Sequence, residues 1–468
     1  MSKIARQHSA HLPPDTRRTN FMEVVCGYTE AEALTESGRC LQCKEPLCSV
    51  GCPVRINIKG FINFVSKKDY KGAYKTITEA NLFPSICGRV CPQERQCEAG
   101  CILGKKQQPV AIGLLERFVG DMAQQHNWQE TRPIDLIGPT SKRAAIIGSG
   151  PAGLACAYDL AKAGVTVVVF EALHLPGGVL TYGIPQFRLP KERVFREIEN
   201  LTRLGVTIET NRVIGKIHTI EDLMSRLSFD VVFIGTGAGY PRNLGIKGDS
   251  LNGVMSANEF LTRVNLMRGF DFPRYATPVG IGKNVAVIGC GNTAIDSART
   301  SLRLGPDNVY IVYRRTLEES PARKEEVRHA IEEGVQFICL TTAKEIIPDN
   351  EGWVKGMNCV QKDETGSSEI LLNVDTVIYA LGTMANPIIA RTTPELTTDK
   401  AHYIETNGES LMTSMPGVFA GGDITRSGGT FTTVIHAMST GRRAAKGMLE
   451  YLESNAEAAN GRQPKPNR

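Results

Sequence analysis

The chain has 468 residues, enough for about three domains, and its 41% hydrophobic content supports buried cores. A net charge of +5 without a dense basic block argues against nucleic-acid binding. No apolar run approaches the roughly 18 residues of a membrane span, and no apolar segment follows Arg17-Arg18 as in an export signal, so a cytoplasmic location is expected.

Nine of the thirteen cysteines precede residue 102. Cys26 stands apart. The other eight form two runs, Cys40-x2-Cys43-x4-Cys48-x3-Cys52-Pro53 and Cys87-x3-Cys91-Pro92-x4-Cys97-x3-Cys101. Structural zinc prefers two separated pairs, a form that neither run has. A disulfide framework belongs to secreted chains. Close thiolates ending in Cys-Pro match the ferredoxin pattern, in which the last cysteine ligates the other cluster. Eight thiolates suffice for two 4Fe–4S clusters, and by spacing alone Cys87 is one of them. Cys26, Cys156, Cys339 and Cys359 are isolated and read as ordinary buried thiols.

Phe61, Phe64, Val65, Tyr70, Ala73, Tyr74 and Ile77 recur mostly at helical spacing, as do Leu114, Leu115, Phe118, Val119 and Met122. Glu116 lies inside the second set and by itself reads as a solvent-facing helix acid. Residues 129–142, polar with two prolines, read as a linker.

The stretch Arg143 to Gly178 carries the strongest signal. An apolar strand, Ala144 to Ile147, meets Gly148-x-Gly150-x-x-Gly153; an apolar helix follows, then a second strand, Val165 to Phe170, ending in Glu171. This is the dinucleotide fingerprint in its required context. Gly148 makes the turn, Gly150 admits the pyrophosphate, Gly153 allows close packing, and Glu171 stands where an acid binds ribose hydroxyls. Tyr182 and Arg188, in the following TYGIPQFRLP, are either cofactor contacts or loop anchors. VVFIGTGA (Val231 to Ala238) reads as the closing strand, with Gly235 and Gly237 near the cofactor.

A second fingerprint follows: strand Val285 to Ile288, turn Gly289-x-Gly291-x-x-Ala294, Asn292 and Asp296 in the opening helix, and strand Val309 to Tyr313. That strand ends in Arg314-Arg315 rather than an acid. Arginines there accommodate a 2′-phosphate, so NADPH is expected over NADH; the alternative is a pair of solvated arginines. Asp375 to Leu381 reads as a further strand. GVFAGGD (Gly417 to Asp423) reads as a strand before a helix from about Thr432 to Gly441, and the C-terminal dozen residues as disordered. Nicotinamide carries a hydride and iron takes single electrons, so a flavin must stand between them. The first fingerprint is assigned to FAD because Asp423 and its helix lie outside the second. The expected architecture is α/β: a mostly helical iron–sulfur domain (1–140), then two Rossmann-like domains, an NADPH domain (279–383) inserted into an FAD domain (141–278 and 384–455), and a tail (456–468).

The stretches CLQCKEPLC, GCPV, ICGRVCPQERQCEAGC, AIGLLERF, GSGPAGL, TYGIP with FRLP, GCGNTAID, YRR and AGGD run through the chain from about residue 22 to 450. They resemble the small-subunit family of NADPH-dependent glutamate synthase. That family is also similar to the large subunit of NADH-dependent reduced ferredoxin:NADP oxidoreductase and to the N-terminal part of dihydropyrimidine dehydrogenase. The resemblance implies FAD at Gly148, Gly150, Gly153, Glu171, Gly178 and Asp423, and NADPH at Gly289, Gly291, Asn292, Thr293, Arg314 and Arg315. It extends the cofactor lining to Pro151, Ala152, Leu180, Arg188, Gly422 and Thr433. It also implies that Glu116 joins Cys40, Cys43 and Cys48 at one cluster, that Cys52, Cys91, Cys97 and Cys101 hold the other, and that Cys87 is left over. This conflicts with the spacing alone. The implied function is an electron-input subunit passing electrons from NADPH through FAD and two 4Fe–4S clusters to a partner, either a glutamate synthase large subunit or a flavin–ferredoxin reductase subunit. Alternatives are the transhydrogenase large subunit, to which VAIGLLERFVGDMA and GTGAGYPRNLGI look close, and the input subunit of a dihydropyrimidine dehydrogenase. No general acid–base constellation appears, so no catalytic side chain is assigned.

Overall fold

A computed structural model describes residues 4–128, 142–363, 366–426 and 432–459. The expected linker at 129–142 and the expected tail therefore fall almost wholly outside the described residues.

Two parallel sheets follow from the two apolar strand–turn–helix stretches. Arg143–Ile147 buries four of its five side chains, which only a sheet covered on both faces accommodates. It lies at the centre of a five-stranded sheet in the order Val418–Ala420, Val231–Ile234, Arg143–Ile147, Thr166–Phe170, Thr207–Glu209, with every pairing parallel. Ala145 stands opposite Val168 on one side and Val232 on the other. The edge strand Val418–Ala420 comes from the far end of the chain, so this unit is built from two separated segments. The helix Pro151–Lys162 is crossed closely by the long helix Val434–Ala459. Gly441 makes that crossing possible, because a Cβ there would lie 2.1 Å from the Ala152 carbonyl oxygen.

The second sheet runs Gln336–Ile338, Asn308–Val312, Asn284–Ile288, Thr376–Tyr379, Val254–Ser256, again all parallel. Its edge strand Val254–Ser256 precedes residue 279, so the boundary expected there cuts through the second unit. Tyr240–Pro241 pairs antiparallel with Thr383–Met384. The chain thus leaves the first unit and re-enters it side by side, and the inserted unit spans these two strands. A three-residue edge strand carries too few apolar positions to show a period, which is why the sequence placed the boundary late. The sequence reading also lacked an antiparallel meander, Thr341–Pro348, Val354–Asp363 and Gly366–Leu372. It buries Ala343, Ile346, Met357 and Cys359 against Val377 and Tyr379 of the second sheet.

The N-terminal region is helical. The apolar stretch expected from Phe61 to Ile77 is two helices, Ile58–Ser66 and Tyr70–Thr78. The break falls at Asp69, whose carboxylate accepts a 2.8 Å hydrogen bond from the Gly72 N–H and caps the second helix. Helix Ile112–His126 crosses Pro84–Val90 at backbone contact. A Cβ on Gly120 would lie 2.3 Å from the Ser85 nitrogen, and one on Gly88 would lie 2.6 Å from the Arg117 nitrogen.

The three units are joined through buried charge. Helix Asn292–Arg303 turns Ile295, Ala298 and Leu302 into its sheet's core. Its opposite face carries Asp296, Arg299 and Arg303, all buried. Arg299 donates to Glu326 and, through Nε at 2.9 Å, to Glu333; Arg303 reaches Glu333 at 2.7 Å, and Arg17 from the N-terminal segment lies 3.1 Å from the same carboxylate. Burial opposes the Glu333 charge, but the hydrogen bonds from Arg299 and Arg303 hold its carboxyl down to about 2. Among the described residues no helix is long and apolar enough to cross a membrane.

Replacing Gly120 with Ala forces the two helices apart. We expect a loss of about 1–3 kcal/mol, read as a lower unfolding midpoint; an unchanged midpoint would show that the crossing can relax freely.

Candidate functional site

At the first glycine turn Gly148 has φ +97°, and a Cβ there would lie 2.6 Å from the Gly235 oxygen. A Cβ on Gly153 would lie 2.0 Å from the Gly148 oxygen, so strand and helix meet without room for a side chain. Around Gly150 the equivalent space is open within 4 Å, as it is at Gly237. Pro151 and Ala152 open the helix, whose first N–H groups face that space. Gly178 closes on Gly150, with a Cβ position 2.7 Å from its Cα, and Gly422 packs on Ala152. Leu180 is fully buried beside them. Glu171 ends its strand with its carboxylate oriented toward the turn, accepting from the Ser149 N–H at 2.9 Å and the Leu173 N–H at 2.8 Å. Burial pushes the Asp423 carboxyl up to about 6. Burial, then the charges of Asp423 and Glu171, push the Tyr182 phenol up to about 12. Thr433 sits at the N-terminal end of Val434–Ala459, its hydroxyl 2.7 Å from His436 Nδ1; the helix begins there and runs well beyond the expected Gly441. An open glycine turn, a helix N-terminus and a buried acid at the strand end form a cradle that fits an adenine dinucleotide.

Arg188 departs from the cofactor role. Both oxygens of Asp296 accept from its Nη1 at 2.6 Å, and Glu326 lies 3.3 Å from its Nε. Its guanidinium is buried and needs counter-charge, and helix Asn292–Arg303 supplies it. Arg188 therefore anchors its loop and ties the first unit to the second.

The second turn repeats the first. Gly289 has φ +123°, with Ala380 O occupying the Cβ position at 2.4 Å. At Gly291 only Pro321 comes within 4 Å. Thr293 is exposed in the first helical turn. The side-chain oxygen of Asn292 accepts from the Arg323 N–H at 2.9 Å and so holds the neighbouring loop beside the turn. Arg314 and Arg315 are exposed at the end of Asn308–Val312, and among the described residues neither has a carboxylate partner. Two uncommitted guanidinium groups at that position fit a 2′-phosphate.

None of the thirteen cysteines forms a disulfide. Eight approach one another because the two runs touch backbone to backbone. A Cβ on Gly51 would lie 2.6 Å from the Gln96 oxygen, and one on Gly100 2.6 Å from the Leu47 oxygen. The first contact sets Cys52 beside Cys97, and the second sets Cys48 beside Cys101. Two cavities result. An outer one is lined by Cys40, Cys43, Cys48 and Cys101, an inner one by Cys52, Cys91, Cys97 and Glu116. This corrects the implied ligand sets, which had Glu116 with the first group and Cys101 with the second. The neighbours that shift Cys48 and Cys52 fall into the same grouping, although Cys87, which lines neither cavity, also lies beside Cys91. Burial, then Cys101 and Cys40, push the Cys48 thiol up to about 11; burial, then Glu116 and Cys91, push Cys52 up to about 12. Glu116 is not solvent-facing. Burial raises it to about 8, while the Asn81 amide donates to it at 2.6 Å. Asn81 carried no sequence signal; only the fold brings it to Glu116. Cys87 lines neither cavity. It is fully buried between Asn81 Oδ1 at 3.5 Å and Met438 Sδ at 3.8 Å. Four thiols about one cavity, and three thiols with a carboxylate about the other, are donor sets that fit iron–sulfur clusters.

From this geometry we expect Cys101→Ala to remove iron bound at the outer cavity, Glu116→Ala to change the iron bound at the inner one, and Cys87→Ala to leave iron content unchanged. Iron counting with EPR of the reduced protein checks this; iron loss confined to Cys87→Ala would reverse the assignment.

Residues 17–128 match the family described as dihydropyrimidine dehydrogenase domain II, 4Fe-4S cluster, and residues 142–441 match pyridine nucleotide-disulphide oxidoreductase. The glutamate synthase [NADPH] small chain of Escherichia coli is 35% identical over 461 residues, 94% of this chain and 96% of that one. The Azospirillum brasilense counterpart is 34% identical, covering 96% of each. The NAD-dependent dihydropyrimidine dehydrogenase subunit PreT of Escherichia coli is 34% identical, covering 92% of this chain and 97% of its own. Among solved structures, Mycobacterium tuberculosis FprA in complex with NADPH superposes with a TM-score of 0.54 at 20% identity over 70% of this chain and 88% of its own, which speaks for the fold. Its cofactors being FAD, NADPH and 4Fe–4S clusters, the chain is a flavin-dependent pyridine nucleotide oxidoreductase and belongs to the family of the glutamate synthase small chain.

Proposed function

We propose that this chain is the electron-input subunit of a larger enzyme, of the glutamate synthase type, drawing on NADPH and delivering single electrons through two cluster sites to a partner seated over the outer thiol cavity. The observation that carries this reading is the cavity's rim. Leu41, Leu47 and Ile102 line it while standing 46%, 49% and 41% exposed, and Val50 beside them is 56% exposed. Large apolar side chains grouped around a redox site mark an interaction surface.

Bound FAD supplies the conversion of a hydride into single electrons, which iron–sulfur clusters accept. The chain's own residues hold, orient and insulate. The N-terminal N–H groups of Pro151–Lys162 receive the flavin's pyrophosphate and Glu171 its ribose hydroxyls. Arg314 and Arg315 grip the 2′-phosphate of NADPH. Ile58 and Ile112 line both thiol cavities and form an apolar wall between them. Ile435, in the first turn of the helix that packs on the flavin fingerprint, lines the inner cavity. The inner site therefore faces the flavin unit, and the outer one faces solvent. A disulfide-reducing role lacks its chemistry here: Cys156 is buried against Met448 and has no cysteine partner among the described residues.

The second reading, the input subunit of a pyrimidine-reducing enzyme, is supported by PreT, whose identity is within one percentage point of the glutamate synthase chains. Both readings require NADPH- or NADH-driven reduction of a dye acceptor without oxygen, and a protein that binds FAD and iron yet does not turn over would defeat both. The partner decides between them: glutamate formation with a large subunit, or pyrimidine reduction. Arg314→Ala combined with Arg315→Ala is expected to raise KM for NADPH about 10- to 100-fold, the equivalent of about one charged hydrogen bond, with NADH unaffected. An equal loss for both nucleotides removes the 2′-phosphate role.

A further inference from the structure

A polar cavity of about 400 Å³ lies where the three units meet, lined among others by Arg89, Gln93, Arg188, Arg299 and His329. Beside it three side chains converge that no cofactor site uses. The ligand atoms of His11, Glu325 and His329 all lie within 4.8 Å of one another. Glu325 and His329 are four residues apart on helix Lys324–Glu333 and so share one face. His11 arrives from the N-terminal arm, in the short strand Ala10–His11 that pairs with Val25–Gly27.

These groups are underused as they stand. His329 is 1% exposed, yet neither of its ring nitrogens has a hydrogen-bond partner, and His11 Nε2 has none either. A buried polar atom left unpaired is destabilising, because it gives up its water and gains no partner. His11 Nε2 stands 3.6 Å from Glu325 Oε1, too far for a good hydrogen bond but at the separation of two ligands on a common ion. Arg323 donates to the other oxygen, Oε2, at 3.1 Å and so turns Oε1 toward the imidazoles. The two imidazole centroids are 5.0 Å apart with planes at 71°. Two imidazoles bound to one tetrahedral zinc at about 2.0–2.1 Å place their centroids about 5 Å apart.

We propose that His11, Glu325 and His329 form a divalent-cation site suited to zinc, a two-histidine, one-carboxylate set that fastens the N-terminal arm to the NADPH-binding unit. The fourth position is left to water from the adjoining cavity. Arg17 and Arg299 stand nearby, but Glu332, Glu333 and Glu326 engage their charges; Arg328 is shared between Glu332 at 3.6 Å and the ligand oxygen Glu325 Oε1 at 3.9 Å, and a bound cation would leave it to Glu332. The site is separate from the thiol cavities and does not depend on the proposed electron partner.

The test uses the protein purified without oxygen, with flavin and iron in place, stripped of loosely bound metal by a chelator and then given zinc. Zinc, iron and flavin are counted in the same sample for the wild type, His11→Gln and His329→Gln. About one zinc per chain more in the wild type than in either variant, at equal iron, is expected. The zinc K-edge should show a nitrogen and oxygen shell without sulfur. Equal zinc in all three proteins overturns the proposal, as does a zinc–sulfur distance of about 2.3 Å, which would place the ion on cluster cysteines. Should His329→Gln fail to fold, His11→Gln decides alone, because His11 sits on a half-buried arm.

Discussion

Arg299 cannot lie fully buried without carboxylates on both sides of it, and satisfying that charge determines how the three units of this chain meet. Glu326 and Glu333 face it from the neighbouring helix, Arg303 shares Glu333, and Arg17 brings the N-terminal segment to the same acid. One turn nearer the glycine loop, Asp296 takes Arg188 from the flavin unit. Such a lattice adds little net stability, because desolvation offsets most of the attraction. It does penalise every other arrangement, since a shift of a few ångströms would leave a bare charge inside. The helix that carries these groups starts at the second nucleotide turn. Its anchorage therefore fixes where the second glycine turn lies relative to the first.

The thiol region shows the same economy at short range. Two glycines, Gly51 and Gly100, let two cysteine runs touch along their backbones, and that contact sorts the thiols into an inner and an outer set. Apolar residues common to both cavities keep water out between them. Ile435 ties the inner set to the flavin unit's long helix, while the outer set opens among exposed leucines and isoleucine. Direction is built into this layout: one end is covered by the chain's own domains and the other opens to solvent.

Local chemistry was legible in the residues. The two glycine fingerprints, their flanking strands, the acid that ends one and the arginines that follow the other all stand where spacing placed them, because a turn that admits a pyrophosphate has few sequence solutions. The helices carrying Phe61 and Phe118 showed their period. Short or sparsely apolar elements did not: Val254–Ser256 was absorbed into the wrong unit, and the meander from Thr341 to Leu372 passed unread, since its burial depends on a partner sheet supplied by distant segments.

Composition and motif spacing by themselves determined the kind of molecule this is: two nucleotide cradles behind a cysteine-rich helical region, without an apolar run of membrane-spanning length in the sequence. Which thiols share a cavity, that Glu116 turns inward to Asn81 rather than to solvent, that Cys87 backs onto Met438, and that Arg188 serves a carboxylate were decided by tertiary structure alone. The reason is physical. A turn or a helix face is encoded within a few residues, whereas the partners of a buried charge or thiol come from segments up to hundreds of residues away, and only packing chooses among them.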